Sequence, residues 1–258
     1  MTIIRSAALI MSAALFFAAS IVCAGTWEEN FSVDGEYPPN WVIYNYDPSI
    51  EGWSQEDGVL KGWIAFTGYY SWLFLHPEEA NPLEWANYEV NVRARWTEFI
   101  DEFSDHEDDA PQFGITVYDA QMARGNPRYW LGIKVKGGEA AISRPLAEDG
   151  DVEDVERLAV SQPFQAERGV WIQLRASVSS TEISETVQFQ VNDMPPVTME
   201  SDDPYRSGSL ALYVRGISAE FDDFSATGDD IPNHAAGGAS VSPTGKASVA
   251  WGRLKRSD

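Results

Sequence analysis

The sequence predicts an all-β fold in which two antiparallel sheets pack as a sandwich. Residues 210–215 alternate between aliphatic side chains and a mixed set, which is the period-two pattern of a strand with two different faces. The mixed set is Ala211, Tyr213 and Arg215. Comparable short segments recur along the chain between turn-forming residues, and no stretch has the spacing of an amphipathic helix.

The N-terminal half is expected to supply several short aromatic strands and then one long strand. The short strands are predicted at residues 27–31, 41–46, 53–56, 59–66 and 70–75. Asp57 and Gly58 have the composition of a two-residue hairpin turn. The long strand covers residues 87–99, with Arg93 and Arg95 on the face opposite its apolar side chains.

The C-terminal half supplies the remaining strands. They are predicted at residues 112–118, 129–136, 139–144, 171–178, 187–191, 210–215 and 219–226. In the last of these, Phe221 and Phe224 fall on opposite faces unless one extra residue is inserted. A β-bulge is therefore predicted at Asp222 and Asp223.

The end of this region carries a family resemblance. The segments SGSLALYVRG (207–216) and AEFDDFSATG (219–228) resemble the last two strands of concanavalin A-like lectin and glucanase sandwiches. WIQLR (171–175) and VQFQVND (187–193) are similar to a strand pair of the LamG-like group and of the bacterial domain named for 3-keto-disaccharide hydrolases, with Asp193 where that family usually has Gly. The resemblance implies a concanavalin-like sandwich whose closing strand pairs beside the first.

The first 24 residues are predicted to be a signal peptide. Arg5 precedes an apolar run at 7–21, and small residues before Gly25 form the expected cleavage site. The run is too short to span a membrane. Lipidation of Cys23 is the alternative, which the bulky Val22 disfavours. The protein is thus expected to be exported, to the periplasm or the surface of a bacterium, without a disulfide.

The chain is expected to end in a linker and a separate tail. The sandwich domain is predicted to cover residues 25–228, followed by a flexible Ala-, Gly- and Ser-rich linker at 229–245 and a basic tail at 246–258. The tail resembles short tWGrlK endings of exported proteins from some uncultured bacteria, which suggests a sorting or docking element. On this interpretation, removing residues 229–258 leaves the melting temperature unchanged.

Composition excludes one class of partner. The 258 residues include 40 Asp and Glu against 18 Lys and Arg, which gives a formal net charge of −22. Such a field repels nucleic acid and anionic lipid and favours cations. The ten tryptophans are enough both for a core and for a surface that stacks on sugars.

No catalytic signature is visible in the sequence. Retaining glucanases of the resembled fold carry Glu-x-Asp-x-x-Glu on one strand, because their two carboxylates need to lie about 5–5.5 Å apart. The nearest match is Glu220-Phe221-Asp222, with Ser225 in the last place. The three histidines lack zinc-binding spacing. Hydrolases that bring carboxylates together from separate loops remain possible, so the enzyme question stays open.

A carbohydrate site is predicted on the strand faces that point away from the core. Five side chains would point outward on three consecutive strands and would form one surface if these strands are neighbours: Arg93, Arg95, Tyr118, Trp130 and Lys134. Arginine offers paired donors to hydroxyls or to a uronate, and tryptophan can stack on a sugar ring. This cationic face would favour acidic glycans. The alternative is an ordinary solvated face in which Trp130 packs under a loop.

Calcium is a second expectation. Concanavalin-like sandwiches often join their first and last strands through a cation held by oxygen ligands. Asp222 and Asp223 at the predicted bulge, with Asp34 from the N-terminal turn, are the candidate ligands. The alternative is that the two aspartates only cap the bulge.

Three functions remain open from the sequence. The first is a non-catalytic module that binds carbohydrate or mediates contacts at the cell surface. The second is a glycoside hydrolase or an enzyme like the 3-keto-disaccharide hydrolases. The third is a structural domain of an extracellular matrix, and fold alone does not decide among them.

Overall fold

A computed structural model describes most of the predicted sandwich. The described residues are 24–43, 49, 51–64, 70–78, 80–100, 111–119, 129–145, 157–202 and 204–235. They form two antiparallel β-sheets packed around one apolar core, with a single turn of 3-10 helix at Pro82–Glu84. The predicted all-β sandwich of two antiparallel sheets is therefore confirmed. Within the described ranges no helix is long and apolar enough to cross a membrane.

Eight strands form the larger sheet. Seven follow the order β13-β12-β11-β6-β15-β4-β3, and β1 pairs with β15 beside this path. Their bounds are β1 (Gly25–Glu29), β3 (Glu51–Glu56), β4 (Val59–Ile64), β6 (Tyr88–Phe99), β11 (Ile172–Ser180), β12 (Glu185–Val191), β13 (Val197–Ser201) and β15 (Ile217–Gly228). The hairpin predicted through Asp57 and Gly58 joins β3 and β4.

Seven strands form the other sheet, in the order β10-β9-β8-β7-β14-β5-β2. Their bounds are β2 (Trp41–Ile43), β5 (Ser71–Leu75), β7 (Gln112–Asp119), β8 (Tyr129–Lys134), β9 (Glu139–Pro145), β10 (Arg157–Pro163) and β14 (Ser209–Arg215). The last two strands of the described chain, β14 and β15, thus each lie in the interior of a sheet.

The closing strand β15 behaves as the resemblance implied. It pairs with β1 over its C-terminal part, with Glu29 opposite Phe224. Its pairing with β6 slips between Asp222 and Ser225, and Asp223 has a φ of 48°. This is the predicted bulge. It lets Phe221 and Phe224 both face the core, where they are 0% and 2% exposed.

The first residues of the predicted linker pack against the first strand of the sandwich. Ile231 is buried, and the backbone of His234 bonds to that of β1 at Thr26 and Glu28, both at 2.9 Å. The imidazole of His234 stacks on Trp27, with ring centroids 3.9 Å apart. These contacts cover one edge of β1, which composition alone could not indicate because Ala, Gly and Ser are also common in linkers.

A buried polar group connects the two sheets. Glu185 on β12 accepts hydrogen bonds from the Tyr129 hydroxyl on β8 and from the backbone N–H of Tyr205, the latter at 3.0 Å. The Arg144 guanidinium on β9 lies 3.9 Å from the same carboxylate and donates to the Tyr205 hydroxyl at 2.9 Å. We call these four residues the polar bridge. Burial raises the pKa of Glu185 above its ordinary value.

Candidate functional site

The outer face of the seven-stranded sheet is organised in rows across the strands. In one row Trp72 lies opposite Tyr213, which lies opposite Gly114, and Gly114 lies opposite Gly132. In the adjacent row Thr116 lies between Ala211 and Trp130. Because side chains alternate along a strand, all of these point away from the core.

Four aromatic side chains meet on this face, and we call them the aromatic slot: Tyr70, Trp72, Trp130 and Tyr213. The Tyr70 ring stacks on Trp72 with centroids 5.2 Å apart and an interplanar angle of 13°. It also faces Trp130, at 6.2 Å and 27°. Tyr213 lies 5.9 Å away and tilted by 55°. Tyr70 and Trp72 are half-buried, whereas Trp130 and Tyr213 are buried.

Small residues make room for the buried ring of Tyr213. A Cβ on Gly132 would collide with the Tyr213 hydroxyl. Tyr213 therefore lies across the backbone of β8, two strands away from its own, and is 0% exposed. The floor of the aromatic slot depends on a glycine at this position.

Polar side chains border the aromatic slot on one side. Arg215 donates to the Tyr70 hydroxyl at 3.1 Å, and its guanidinium lies 4.8 Å from the centroid of the same ring. Gln112 lies opposite Arg215, and Lys134 lies opposite Gln112. Lys134 in turn is 3.5 Å from the Glu139 carboxylate.

The five residues predicted to share one face are divided between the two sheets. Arg93 and Arg95 lie on β6 in the eight-stranded sheet, whereas Tyr118, Trp130 and Lys134 lie on β7 and β8 in the seven-stranded sheet. Strands β6 and β7 follow each other in sequence but are not neighbours in a sheet. The common surface expected for these residues is therefore not formed, and only Trp130 and Lys134 lie on the face of the aromatic slot.

The cationic character expected for Arg93 and Arg95 is neutralised by β15. Arg93 contacts Asp222 at 2.5 Å and Asp223 at 2.8 Å, and Arg95 contacts Glu220 at 2.5 Å. These are cross-strand pairs, because the antiparallel register places Glu220 opposite Arg95 and Asp222 opposite Arg93. Both guanidinium groups also lie over the ring of Trp171, at 5.0 Å and 4.4 Å respectively.

Tyr118 faces the core, which corrects its expected outward orientation. The pairing of β7 with β14 slips between Ser209 and Ala211, and Tyr118 has a φ of 54°. This irregularity reverses the alternation, so both Val117 and Tyr118 are buried among core residues. The Tyr118 hydroxyl donates to the Ala86 carbonyl.

The predicted calcium ligands are not assembled as a cation site. Asp222 and Asp223 are both paired with Arg93, and Asp34 instead accepts a hydrogen bond from the Asp57 backbone N–H at 3.2 Å. Among the described residues no group of three or more His, Cys, Asp or Glu is arranged to hold a metal. The Arg93 guanidinium already compensates the charges of Asp222 and Asp223. These two carboxylates and Asp34 therefore do not form a calcium site.

Most of the aromatic slot is not among the predicted site residues, although its signal is present in the sequence. Tyr213 and Arg215 belong to the predicted second face of their strand, and Trp72 alternates with Leu73 in the same manner. What the sequence does not reveal is that β14 lies between β5 and β7. That order is needed to bring Trp72, Tyr213 and Trp130 to one place.

Several solved structures are similar to this chain at low sequence identity. No family model matches the chain, and no curated protein matches its sequence. A mutant of the GH43 protein BlXynB from Bacillus licheniformis is 15% identical with a TM-score of 0.49, over 78% of this chain but only 39% of that protein. The winged bean acidic lectin complexed with methyl-α-D-galactose is 11% identical with a TM-score of 0.46, over 78% and 98% of the two chains. An endo-1,3-β-glucanase from Streptomyces sioyaensis is 10% identical with a TM-score of 0.47, over 79% and 96%.

Proposed function

We propose that this chain is an exported carbohydrate-binding protein and that the aromatic slot is its site. The observation that supports the proposal is the near-parallel stack of Trp72, Tyr70 and Trp130 on one outer sheet face. Two of these rings, Tyr70 and Trp72, keep part of their surface in solvent. Flat aromatic faces of this kind bind the apolar face of a pyranose ring.

The border of the slot supplies the second requirement of sugar recognition. Hydroxyl groups of a sugar need directional donors and acceptors, which amides and guanidinium groups provide. Gln112 and Arg215 lie beside each other at the edge of the slot next to Tyr70. Lys134 is paired with Glu139, so the positive charge of Lys134 is compensated. Neutral oligosaccharides are therefore expected to bind at least as well as acidic ones.

Binding is proposed in preference to hydrolysis. Glycoside hydrolysis in most families uses two carboxyl groups on either side of the bond that is cleaved. On the described strands of this face, the carboxylate of Glu139 is tied to Lys134 at 3.5 Å. Binding of a sugar by the aromatic stack and the polar border, in contrast, does not require such a pair of carboxyl groups. Product analysis in the experiment below separates the two functions.

The test is calorimetric titration with a panel of cellohexaose, laminarihexaose, xylohexaose and hexagalacturonate. Wild type is expected to bind at least one member without releasing shorter products. Trp72→Ala should weaken that binding roughly ten- to hundredfold, because it removes one wall of the slot and its apolar contact area. The matched control is Trp171→Ala, which removes a half-buried tryptophan from the outer face of the other sheet.

Each outcome has a defined meaning. Binding by Trp72→Ala that equals wild type, or no binding of any panel member by wild type, would contradict the proposal. A loss confined to Trp171→Ala would move the site to the face of Arg93 and Arg95. Melting temperatures of both variants show whether a loss reflects unfolding.

Export is proposed from the sequence of residues 1–24. The expected result is that protein recovered outside the cytoplasm begins at Gly25, since cleavage follows the small residue Ala24. Intact mass spectrometry measures this directly. A mature protein that begins at a lipid-modified Cys23 would show that the alternative is right.

A further inference from the structure

The ring of Tyr70 occupies the centre of the aromatic slot. Its plane is within 13° of Trp72 on one side and within 27° of Trp130 on the other. A ring stacked on both Trp72 and Trp130 has the position that a sugar ring would take in a stacking site. Tyr70 also lies just before the first residue of β5, outside the hydrogen-bonded ladder. Its ring can therefore move without breaking the pairing of that strand.

A buried hydroxyl on the same sheet face makes no hydrogen bond within the described part of the chain. Thr116 is 0% exposed, and its Oγ1 has no hydrogen-bond partner among the residues that the structure describes. Thr116 on β7 lies opposite Trp130 on β8 and opposite Ala211 on β14. It is therefore located between β8 and β5, the strands that carry Trp130 and Trp72. A buried hydroxyl that makes no hydrogen bond lowers stability, and valine would fill the same volume without that cost.

We infer that the aromatic slot is closed in the ligand-free protein, because Tyr70 occupies the place that a sugar ring would take. The Thr116 hydroxyl makes its hydrogen bond only when a ligand is bound. A pyranoside displaces Tyr70, stacks between Trp72 and Trp130, and brings a hydroxyl to Thr116. The inference rests on the proposed function and adds how access to that site is regulated. Closure lowers the apparent affinity, because only the fraction of molecules with Tyr70 displaced can bind.

The hydrogen bond from Arg215 holds the closed arrangement. The guanidinium both donates to the Tyr70 hydroxyl and lies over its ring, so displacement of Tyr70 breaks two contacts. Tyr70→Phe removes the hydrogen bond but keeps the ring. The slot is therefore expected to open more easily in Tyr70→Phe than in wild type, and less easily than in Tyr70→Ala.

The experiment uses the panel member that wild type binds most tightly. Tyr70→Ala should tighten its binding about three- to tenfold, with Tyr70→Phe between that variant and wild type. Thr116→Val should weaken binding about five- to tenfold while its melting temperature stays equal to or above that of wild type. Thr198→Val, an exposed threonine on β13 of the other sheet, is the control and should leave the dissociation constant unchanged.

The results separate this inference from the proposed function. If Tyr70→Ala and Tyr70→Phe weaken binding as Trp72→Ala does, Tyr70 is part of the binding surface and the inference is wrong. It is also wrong if Thr116→Val lowers the melting temperature and leaves binding unchanged, which would indicate a structural hydroxyl. Absence of binding by wild type and by every variant overturns the proposed function together with the inference.

Discussion

Replacing Glu185 by alanine is expected to lower the free energy of unfolding by about 3–5 kcal/mol. The substitution leaves the buried Tyr129 hydroxyl and the partly buried Tyr205 backbone N–H without their acceptor. It also leaves the nearly buried guanidinium of Arg144 without the carboxylate 3.9 Å away. Urea unfolding measures the change. Glu56→Ala is the matched control, since its ion pair with Lys61 at 2.8 Å is exposed to solvent and should contribute little to stability.

Glu185→Gln adds a test of the protonation state. Burial raises the pKa of Glu185, so the folded protein binds a proton more tightly than the unfolded chain does. The contribution of Glu185 to the free energy of unfolding is therefore fully present below the ordinary pKa of a glutamate. It declines as pH rises through the raised pKa of the folded state. Glutamine does not titrate. The stability advantage of wild type over Glu185→Gln should narrow as pH rises, and a widening difference would contradict the assigned direction.

Truncation after Gly228 is expected to destabilise the protein by about 3 kcal/mol and to lower its melting temperature by roughly 6–12 °C. It removes the buried side chain of Ile231 and the imidazole that stacks on Trp27. It also frees the backbone groups of β1 that bond to His234. Thermal unfolding followed by circular dichroism measures the change.

Truncation after Ala235 is the matched control for this prediction. If residues 246–258 are a separate docking element, as their sequence suggests, this shorter deletion leaves the melting temperature unchanged and alters only surface retention. Equal melting temperatures for the two truncations would show that the contacts of Ile231 and His234 with β1 contribute no stability.

Local pattern predicted most of the strands, although not β10 and β13, because alternation is a property of neighbouring residues. The hairpin through Asp57 and Gly58 and the bulge at Asp222 and Asp223 both follow from a few consecutive side chains. The bulge could be predicted because two phenylalanines three positions apart both had to be buried. The bulge near Tyr118 has no such signal, so its orientation was predicted incorrectly.

Contacts between distant segments explain the remaining errors. Arg93 and Asp222 are 129 positions apart, and only the register of β15 on β6 brings them together. The sequence therefore indicated a cationic face where the structure has ion pairs. The aromatic slot has the same origin, because its tryptophans lie on β5 and β8 and are brought together only by the insertion of the distant strand β14 between β5 and β7.

The interior positions of β14 and β15 determine when this protein can fold. A ribosome completes them last, yet β15 separates β6 from β4 and β14 separates β7 from β5. Neither sheet can close until nearly all of the described chain has been synthesised, so the usual order in which N-terminal parts fold first does not apply. Long-range pairing of this kind also makes folding slow. A nascent chain that stays unfolded until its last strands emerge retains the form that can thread through a translocation channel, which suits the export proposed for it.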